Sequence, residues 1–292
     1  DNAYTNLMVT WLFEEIENLQ VKLPPETLIS LLNKVNVVPD FYEQIANVKN
    51  KLALSINEEH IIGQFDGYFD LKEIDWTDYK ARYGNIYRMD RILRDEGKSP
   101  DDYKVAKQAD TLMIFNNFSP KKVKQLLNNL HYNVPNDFAE KNLRYYLERT
   151  SHGSTLSRIV HAMLAENIQL HQLAWQLYQE ALCSDYHDIQ GGTTAEGIHT
   201  GVMAATLNVT IMAYAGVDIR HDILHINPTL PRQWQDLRFH LQHRGIDYQF
   251  VITHSSILIH SSKNAYVLLG DKKYAIEPNQ PLNLPNNVEI TA

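Results

Sequence analysis

The sequence predicts a mainly helical protein closed by a small antiparallel β module, and one change of rhythm predicts both parts. From Asn2 to about Gly216 apolar residues recur at three- and four-residue spacing; beyond Gly216 they recur at every second residue. A period near 3.6 lays apolar side chains along one helix face, whereas a period of 2 lays them on one face of a strand. The expected division is residues 1–216, helical, and residues 217–292, the β unit.

Leu7, Met8, Trp11, Leu12 and Ile16 form the first helical stripe, Leu28 to Val35 the second, and Phe41 to Leu54 the third. Pro24-Pro25, Pro39, Pro100, Pro120 and Pro135 fall between stripes, near helix starts, where the missing N–H costs nothing. Ser99-Pro100-Asp101-Asp102, Ser119-Pro120 and Val134-Pro135-Asn136-Asp137 are start signals, because their short oxygen-bearing side chains can cap free N–H groups. This punctuation implies roughly seven or eight helices. Between about Glu58 and Trp76 the pattern lapses, and Ile61-Ile62-Gly63-Gln64-Phe65-Asp66-Gly67-Tyr68-Phe69 suits a long loop that lines a site.

After Gly216 the strands follow. Leu237, Phe239 and Leu241 alternate with polar residues, His243-Arg244-Gly245 supplies a turn, and Tyr248, Phe250 and Ile252 alternate again. Ile257 with Ile259, then Tyr266 to Leu269, continue the series, and Asn227-Pro228 and Leu230-Pro231 suit an extended linker into the module.

Composition narrows the function. With 292 residues, 44% hydrophobic and 21% charged, the chain can bury a large core. A net charge of -8 argues against sequence-independent nucleic-acid binding, which relies on a basic surface. The single cysteine, Cys183, excludes an internal disulfide framework, no CxxC or HExxH spacing supports zinc, and the 13 histidines are scattered. No apolar run approaches the ~20 residues that span a bilayer. A cytoplasmic protein without metal or organic cofactor is expected. The opening Asp1-Asn2-Ala3-Tyr4, with no initiator Met, further suggests a piece of something longer.

Two segments carry chemistry. Thr150-Ser-His-Gly-Ser-Thr-Leu-Ser157 and Gly191-Gly-Thr-Thr-Ala-Glu-Gly-Ile-His199 each join glycine, hydroxyls and a histidine just before a helical stretch. Unpaired N–H groups and the positive dipole end make such a place suited to phosphate. Capping explains the same residues without a ligand: Ser or Thr for the first helix, and a Thr193–Glu196 capping box for the second. In Val105-Ala-Lys-Gln-Ala-Asp110, read as helical, Lys107 and Gln108 offer donors to sugar hydroxyls with Asp110 fixing the lysine; a solvated helix face is the alternative. Asp185, Asp188 and Glu196 lie close in sequence, as carboxylates for glycoside cleavage do, and a solvated loop accounts for the aspartates equally well. Trp175 and Met203 read as core residues, and His161 and His171 as packing histidines.

Taken together, Lys107-Gln-Ala-Asp110, Thr150-Ser-His-Gly-Ser154, Gly192-Thr-Thr-Ala-Glu-Gly-Ile-His199 and Gly201-Val-Met-Ala-Ala205 resemble glycoside hydrolase family 65, which contains maltose, trehalose and kojibiose phosphorylases. Gln64-Phe65-Asp66-Gly67-Tyr68-Phe69 and Asn227-Pro228 to Pro231 add to the resemblance. It implies part of an (α/α)6 toroid followed by a small C-terminal β-sheet domain. It also implies an inverting reaction in which inorganic phosphate, the co-substrate, attacks an α-glucoside and releases β-glucose 1-phosphate. On this resemblance His152, Gly153, Ser154, Thr155 and His199 hold phosphate, while Lys107 and Gln108 hold the glucosyl unit and Glu196 supports the site. The family's acid glutamate precedes an Asn-Asn-Ala-Tyr-Thr-Asn stretch that Asp1-Asn2-Ala3-Tyr4-Thr5-Asn6 resembles, so the proton donor is expected upstream of Asp1. Completion by the N-terminal part of the same protein or a companion chain, and homo-oligomerisation, are expected with it. The alternatives are a hydrolase of the same family and an inactive carbohydrate-binding subunit.

Overall fold

The computed structural model describes residues 1–187 and 197–286. Among them lie eleven α-helices: α1 (Ala3–Lys22), α2 (Pro25–Lys34), α3 (Phe41–Lys49), α4 (Trp76–Tyr83), α5 (Met89–Asp95), α6 (Met113–Asn117), α7 (Pro120–Asn129), α8 (Phe138–Leu147), α9 (Thr155–Asn167), α10 (His171–Leu182) and α11 (Thr200–Asn208). The excess over the expected number comes from α4, α5 and α6, which have eight, seven and five residues. So few residues barely establish a 3.6 period.

The start signals act as their chemistry requires. Asn2 Oδ1 accepts the Thr5 N–H at 2.9 Å, and Ser119 Oγ accepts that of Lys122 at 3.3 Å. Pro25 and Pro120 occupy first helical positions. Ser99 opens only a single 3-10 turn, Pro100–Asp102.

Helix α9 is the hub, touching α6, α8, α10 and α11. It is buried on nearly every side, its polar Ser157, Arg158, His161 and Glu166 included, with only Leu156 and Asn167 outside the buried set. Ala162 and Ala165 on α9 and Ala174 and Ala181 on α10 are fully buried, and their small size lets the two axes approach closely. Phe115, Phe138, Leu143 and Leu164 fill the surrounding core; each such side chain contributes about 1.5–3 kcal/mol by leaving water.

Helix α11 continues as a wider π turn, Val209–Tyr214, before the chain changes character at Gly216. This residue has φ +61, and a Cβ there would stand 2.0 Å from the Asn227 carbonyl oxygen. Only glycine tolerates both. The β unit then forms two four-stranded sheets: β1 (Val217–Asp218), β2 (Leu224–Ile226), β6 (Ala265–Leu269) and β7 (Lys272–Ile276) in that spatial order, and β3 (Asp236–His243), β4 (Ile246–Thr253), β5 (Ser256–Ser261) and β8 (Leu282–Pro285). Pairing is antiparallel except for β2 with β6, which run parallel. Phe250, Ile252, Ile257 and Ile259 of one sheet share a core with Leu224, Ile226, Val267 and Ile276 of the other. The β3–β4 hairpin turns on Arg244 and Gly245, both at positive φ (49° and 72°), the geometry that matches the twist of a two-residue hairpin. Register then places Phe239 opposite Phe250, rings stacked at 4.8 Å.

The two units meet at the C-terminal end of α9. Thr229 Oγ1 donates to Glu166 Oε1 at 2.7 Å, and Trp234 inserts among Trp175, Tyr178 and Tyr214. This junction and the cleft beside it lie roughly 17 Å along α9 from Thr155, and a second contact is made where Arg220 Nη1 donates to the Asn117 carbonyl at the end of α6 at 3.0 Å.

Candidate functional site

The N-terminal end of α9 carries the first of the two motifs. Ala106 donates its N–H to the Arg149 carbonyl and accepts from the Ser151 N–H, both at 2.8 Å, so the Lys107-Gln108 segment runs beside His152-Gly153. That segment is irregular and bent, not helical as the sequence suggested: its polar side chains interrupt any apolar stripe, and Ala106 bonds to the neighbouring segment. A Cβ on Gly153 would stand 2.3 Å from the Tyr87 carbonyl oxygen and 3.2 Å from Lys107 Cγ. Glycine here brings three segments to one point.

His152 adopts φ 53, a left-handed conformation in which a non-glycine residue is strained, and such strain concentrates at functional sites. Its carbonyl accepts from Arg158 Nη1 at 3.4 Å, and its Nδ1 shares a 2.9 Å hydrogen bond with Ser157 Oγ. Arg158 is itself buried, donates to Glu180 Oε2 at 2.7 Å, and lies over the Tyr87 ring. Burial chiefly, helped by the nearby His161 and Arg158, pushes the His152 pKa down to about 2. The ring therefore favours its neutral form, with its nitrogens available for hydrogen bonds.

Ser154 holds the N-cap position of α9 with extended backbone, yet its side chain makes no capping bond. The Ser157 N–H is taken by the Ser154 carbonyl at 3.1 Å. Capping, which explains this hydroxyl without a ligand, is not what it does. The dipole of a thirteen-residue helix points its positive end at the same place.

His199 stands just before α11. A Cβ on Gly201 would lie 3.9 Å from Leu156 Cδ2, so the first turns of α9 and α11 are neighbours. His199 donates from Nδ1 to Asp185 Oδ1 at 2.6 Å and from its backbone N–H to Asp185 Oδ2 at 2.7 Å. The Asp185 side chain is only 12% exposed. A solvated-loop role for Asp185 is thereby replaced by a structural one at the site. Asp188, Gly191, Gly192, Thr193, Thr194 and Glu196 lie outside the described residues, and with them the capping box and the supporting role expected of Glu196.

The long loop is fastened down. Asn142 on α8 accepts the Ile62 N–H at 2.8 Å and donates to the His60 carbonyl at 2.9 Å, while Tyr146 Oη donates to the Ile62 carbonyl. At its far side the Ala3 N–H meets the Gln64 carbonyl at 2.9 Å. Asn2 Nδ2 donates to Asp110 Oδ1 at 3.3 Å, so Asp110 ties the N-terminal end of α1 to the Lys107 segment, and its hydrogen-bond partner is Asn2, not the expected Lys107. Burial raises the Asp110 pKa, and the Asn2 bond opposes that rise.

Sequence reading missed Tyr87, Arg158 and Asn142, and misjudged Asp185. Arg158 alone left a signal: it is the one full charge among the apolar residues that open α9. Among the described residues no three His, Cys, Asp or Glu side chains form a metal-binding group, and no helix is long and apolar enough to cross a membrane.

Comparison with known proteins adds three findings. Residues 1–208 match the glycosyl hydrolase family 65 central catalytic domain, and residues 217–276 match the family's C-terminal domain. A trehalose 6-phosphate phosphorylase of Lactococcus lactis subsp. lactis is 40% identical over 280 residues, covering 95% of this chain and 35% of that protein. A kojibiose phosphorylase of Halothermothrix orenii is 26% identical over 297 residues, covering 99% of this chain and 35% of that protein. The chain thus spans about a third of the length of these curated relatives. A solved structure of a human-microbiome protein, described as a candidate kojibiose phosphorylase, superposes with a TM-score of 0.74 at 23% identity, over 100% of this chain and 40% of that one; it shares the fold.

Proposed function

The chain belongs to glycosyl hydrolase family 65, and from that premise we propose that it forms the phosphate-holding part of an inverting disaccharide phosphorylase. The observation that carries this reading is the meeting of the uncapped Ser154 hydroxyl, the strained His152-Gly153 turn and His199 at two neighbouring helix starts. Ser154, Thr155, the Gly153 backbone, His152 and His199 hold inorganic phosphate. Lys107 and Gln108, drawn alongside by the Ala106 bridge, hold the hydroxyls of the glucosyl unit, and Glu196 supports them.

The chemistry asks little more of these residues. A phosphate oxygen attacks the anomeric carbon on the face opposite the leaving oxygen, so an α-glucoside gives β-glucose 1-phosphate. The leaving oxygen takes its proton from a glutamic acid that we place outside these 292 residues. Because phosphate is already a nucleophile, the second carboxyl group that an inverting hydrolase uses to activate water is dispensable. No metal or organic cofactor enters the scheme.

The same proposal covers organisation. Residues 1–216 and 217–292 act as catalytic and C-terminal units of a cytoplasmic enzyme. Exposed Val21, Ile29 and Val35 on and just beyond α1 and α2, Ile198 beside His199, and Leu207 at the far end of α11 fit surfaces that further polypeptide or a second copy covers. Light scattering of the assembled enzyme reads that directly.

The test of function is a substrate panel. The enzyme expressed from its complete reading frame is given trehalose 6-phosphate, trehalose, kojibiose, nigerose or maltose, with and without inorganic phosphate. Trehalose 6-phosphate comes first, because the relative named for it is 40% identical against 26% for the kojibiose enzyme. Phosphate-dependent consumption of one disaccharide supports the proposal. Equal loss of activity in His199→Ala with and without phosphate favours the hydrolase, and sugar binding with no turnover favours an inactive binding subunit.

A further inference from the structure

One contact at the site does more than a phosphate ligand requires. Asp185 holds His199 twice, by ring Nδ1–H at 2.6 Å and by backbone N–H at 2.7 Å. A single carboxylate bonded to both the backbone and the ring of one residue prevents the imidazole from rotating without losing a bond. Asp185 is fixed in turn by the end of α10, where the Tyr186 and His187 N–H groups return to the Cys183 carbonyl and Ser184 Oγ donates to the Ala181 carbonyl. Helix α10 packs along α9, whose first turn carries Ser154 and Thr155, and α11 packs against both. The dyad is therefore built into the same three-helix frame as the phosphate cradle.

The bond also decides which ring nitrogen can work. With the Nδ1 proton given to Asp185, neutral His199 presents Nε2 as a bare lone pair, an acceptor. A neutral histidine meant only to donate to phosphate would need the opposite tautomer. His152 cannot take this part, because burial keeps its ring from accepting a proton.

We propose that Asp185 is a positioning residue that makes His199 the proton acceptor for the attacking phosphate. Dihydrogenphosphate passes one proton to Nε2: a phosphate O–H bond breaks, an N–H bond forms, and the electron pair stays on the phosphate oxygen. The products are the hydrogenphosphate dianion and an imidazolium held between that dianion and the Asp185 carboxylate. The dianion is the better nucleophile. His199 keeps the proton until the sugar phosphate departs and then returns it to solvent. This inference rests on the phosphorylase reading and refines it, since phosphate enters as an ion that the site deprotonates.

A double-mutant cycle tests it on the complete enzyme. Asp185→Asn, Asp185→Ala, His199→Ala and the Asp185→Ala/His199→Ala pair are compared with wild type for kcat and for KM of phosphate and of disaccharide separately. Each single alanine variant is expected to lose about a hundredfold in kcat/KM for phosphate, the scale on which partners that orient a histidine act. The pair is expected to lose no more than His199→Ala alone, with the disaccharide KM within about twofold of wild type. Asp185→Asn, which offers the ring an amide that can also donate and so releases the tautomer, is expected to fall with the alanine variants. Losses that multiply in the pair, a disaccharide KM that rises as much as the phosphate KM, or an unchanged Asp185→Asn overturn the proposal. Wild-type enzyme without phosphate-dependent turnover overturns the phosphorylase reading itself, which separates the two failures.

Discussion

The Tyr87 carbonyl oxygen lies 2.3 Å from where a Cβ on Gly153 would stand. Real Cβ atoms do not approach a backbone oxygen so closely, so any side chain at 153 must move the Tyr87 backbone or the strained His152 turn. Gly153→Ala is expected to reduce kcat/KM for phosphate by about a hundredfold or more, the effect of misplacing reacting groups by about 1 Å. Overpacking of this kind costs about 1–3 kcal/mol, so the protein still folds. Steady-state kinetics beside a thermal melt check it; wild-type phosphate kinetics in a folded Gly153→Ala protein would count against the placement of the cradle.

Ser154 separates a cap from a ligand. Because its hydroxyl caps nothing, Ser154→Ala is expected to change stability by no more than about 0.5 kcal/mol, where removal of a true cap costs about 1 kcal/mol. The same substitution is expected to raise the phosphate KM about tenfold, for the loss of one hydrogen bond to a charged group. Loss of stability with unchanged phosphate KM would return Ser154 to the capping role.

Acid sensitivity follows from two buried histidines. Burial pushes the pKa of His152 down to about 2 and of His161 down to about 4, from 6.5. Below pH 6.5 the unfolded chain therefore binds protons that the folded chain refuses, and stability falls with falling pH until the folded values are reached. His161→Leu removes one of these groups and is expected to spare on the order of 2 kcal/mol of the loss between pH 7 and pH 5. Denaturant midpoints at the two pH values measure this. Parallel losses in wild type and variant would contradict it.

Much of the fold was legible because periodicity reports burial. The stripe around Leu7 and Trp11, the apolar run of α9 and the alternation through Tyr248, Phe250 and Ile252 each gave the right element. Helices α4 to α6 escaped because they are short, and the Lys107 segment was misread because its order comes from a partner 40-odd residues away. That pairing, in which Ala106 bonds to Arg149 and Ser151 on either side of Thr150, leaves no local mark in either stretch. At the candidate site, Gly153, Ser154 and His199 drew notice because glycine and hydroxyls before a helix are a local pattern. Arg158 and Asp185 act through bonds to Glu180 and His199, 22 and 14 residues distant, and only the fold supplies that proximity.

The most direct measurement is of the product. Phosphorus and proton NMR are recorded during the first turnovers of the complete enzyme with its preferred α-linked disaccharide and inorganic phosphate. The phosphorylase account predicts β-glucose 1-phosphate appearing in step with the released sugar, and no reaction until phosphate is added. Free glucose formed at the same rate without phosphate would contradict it.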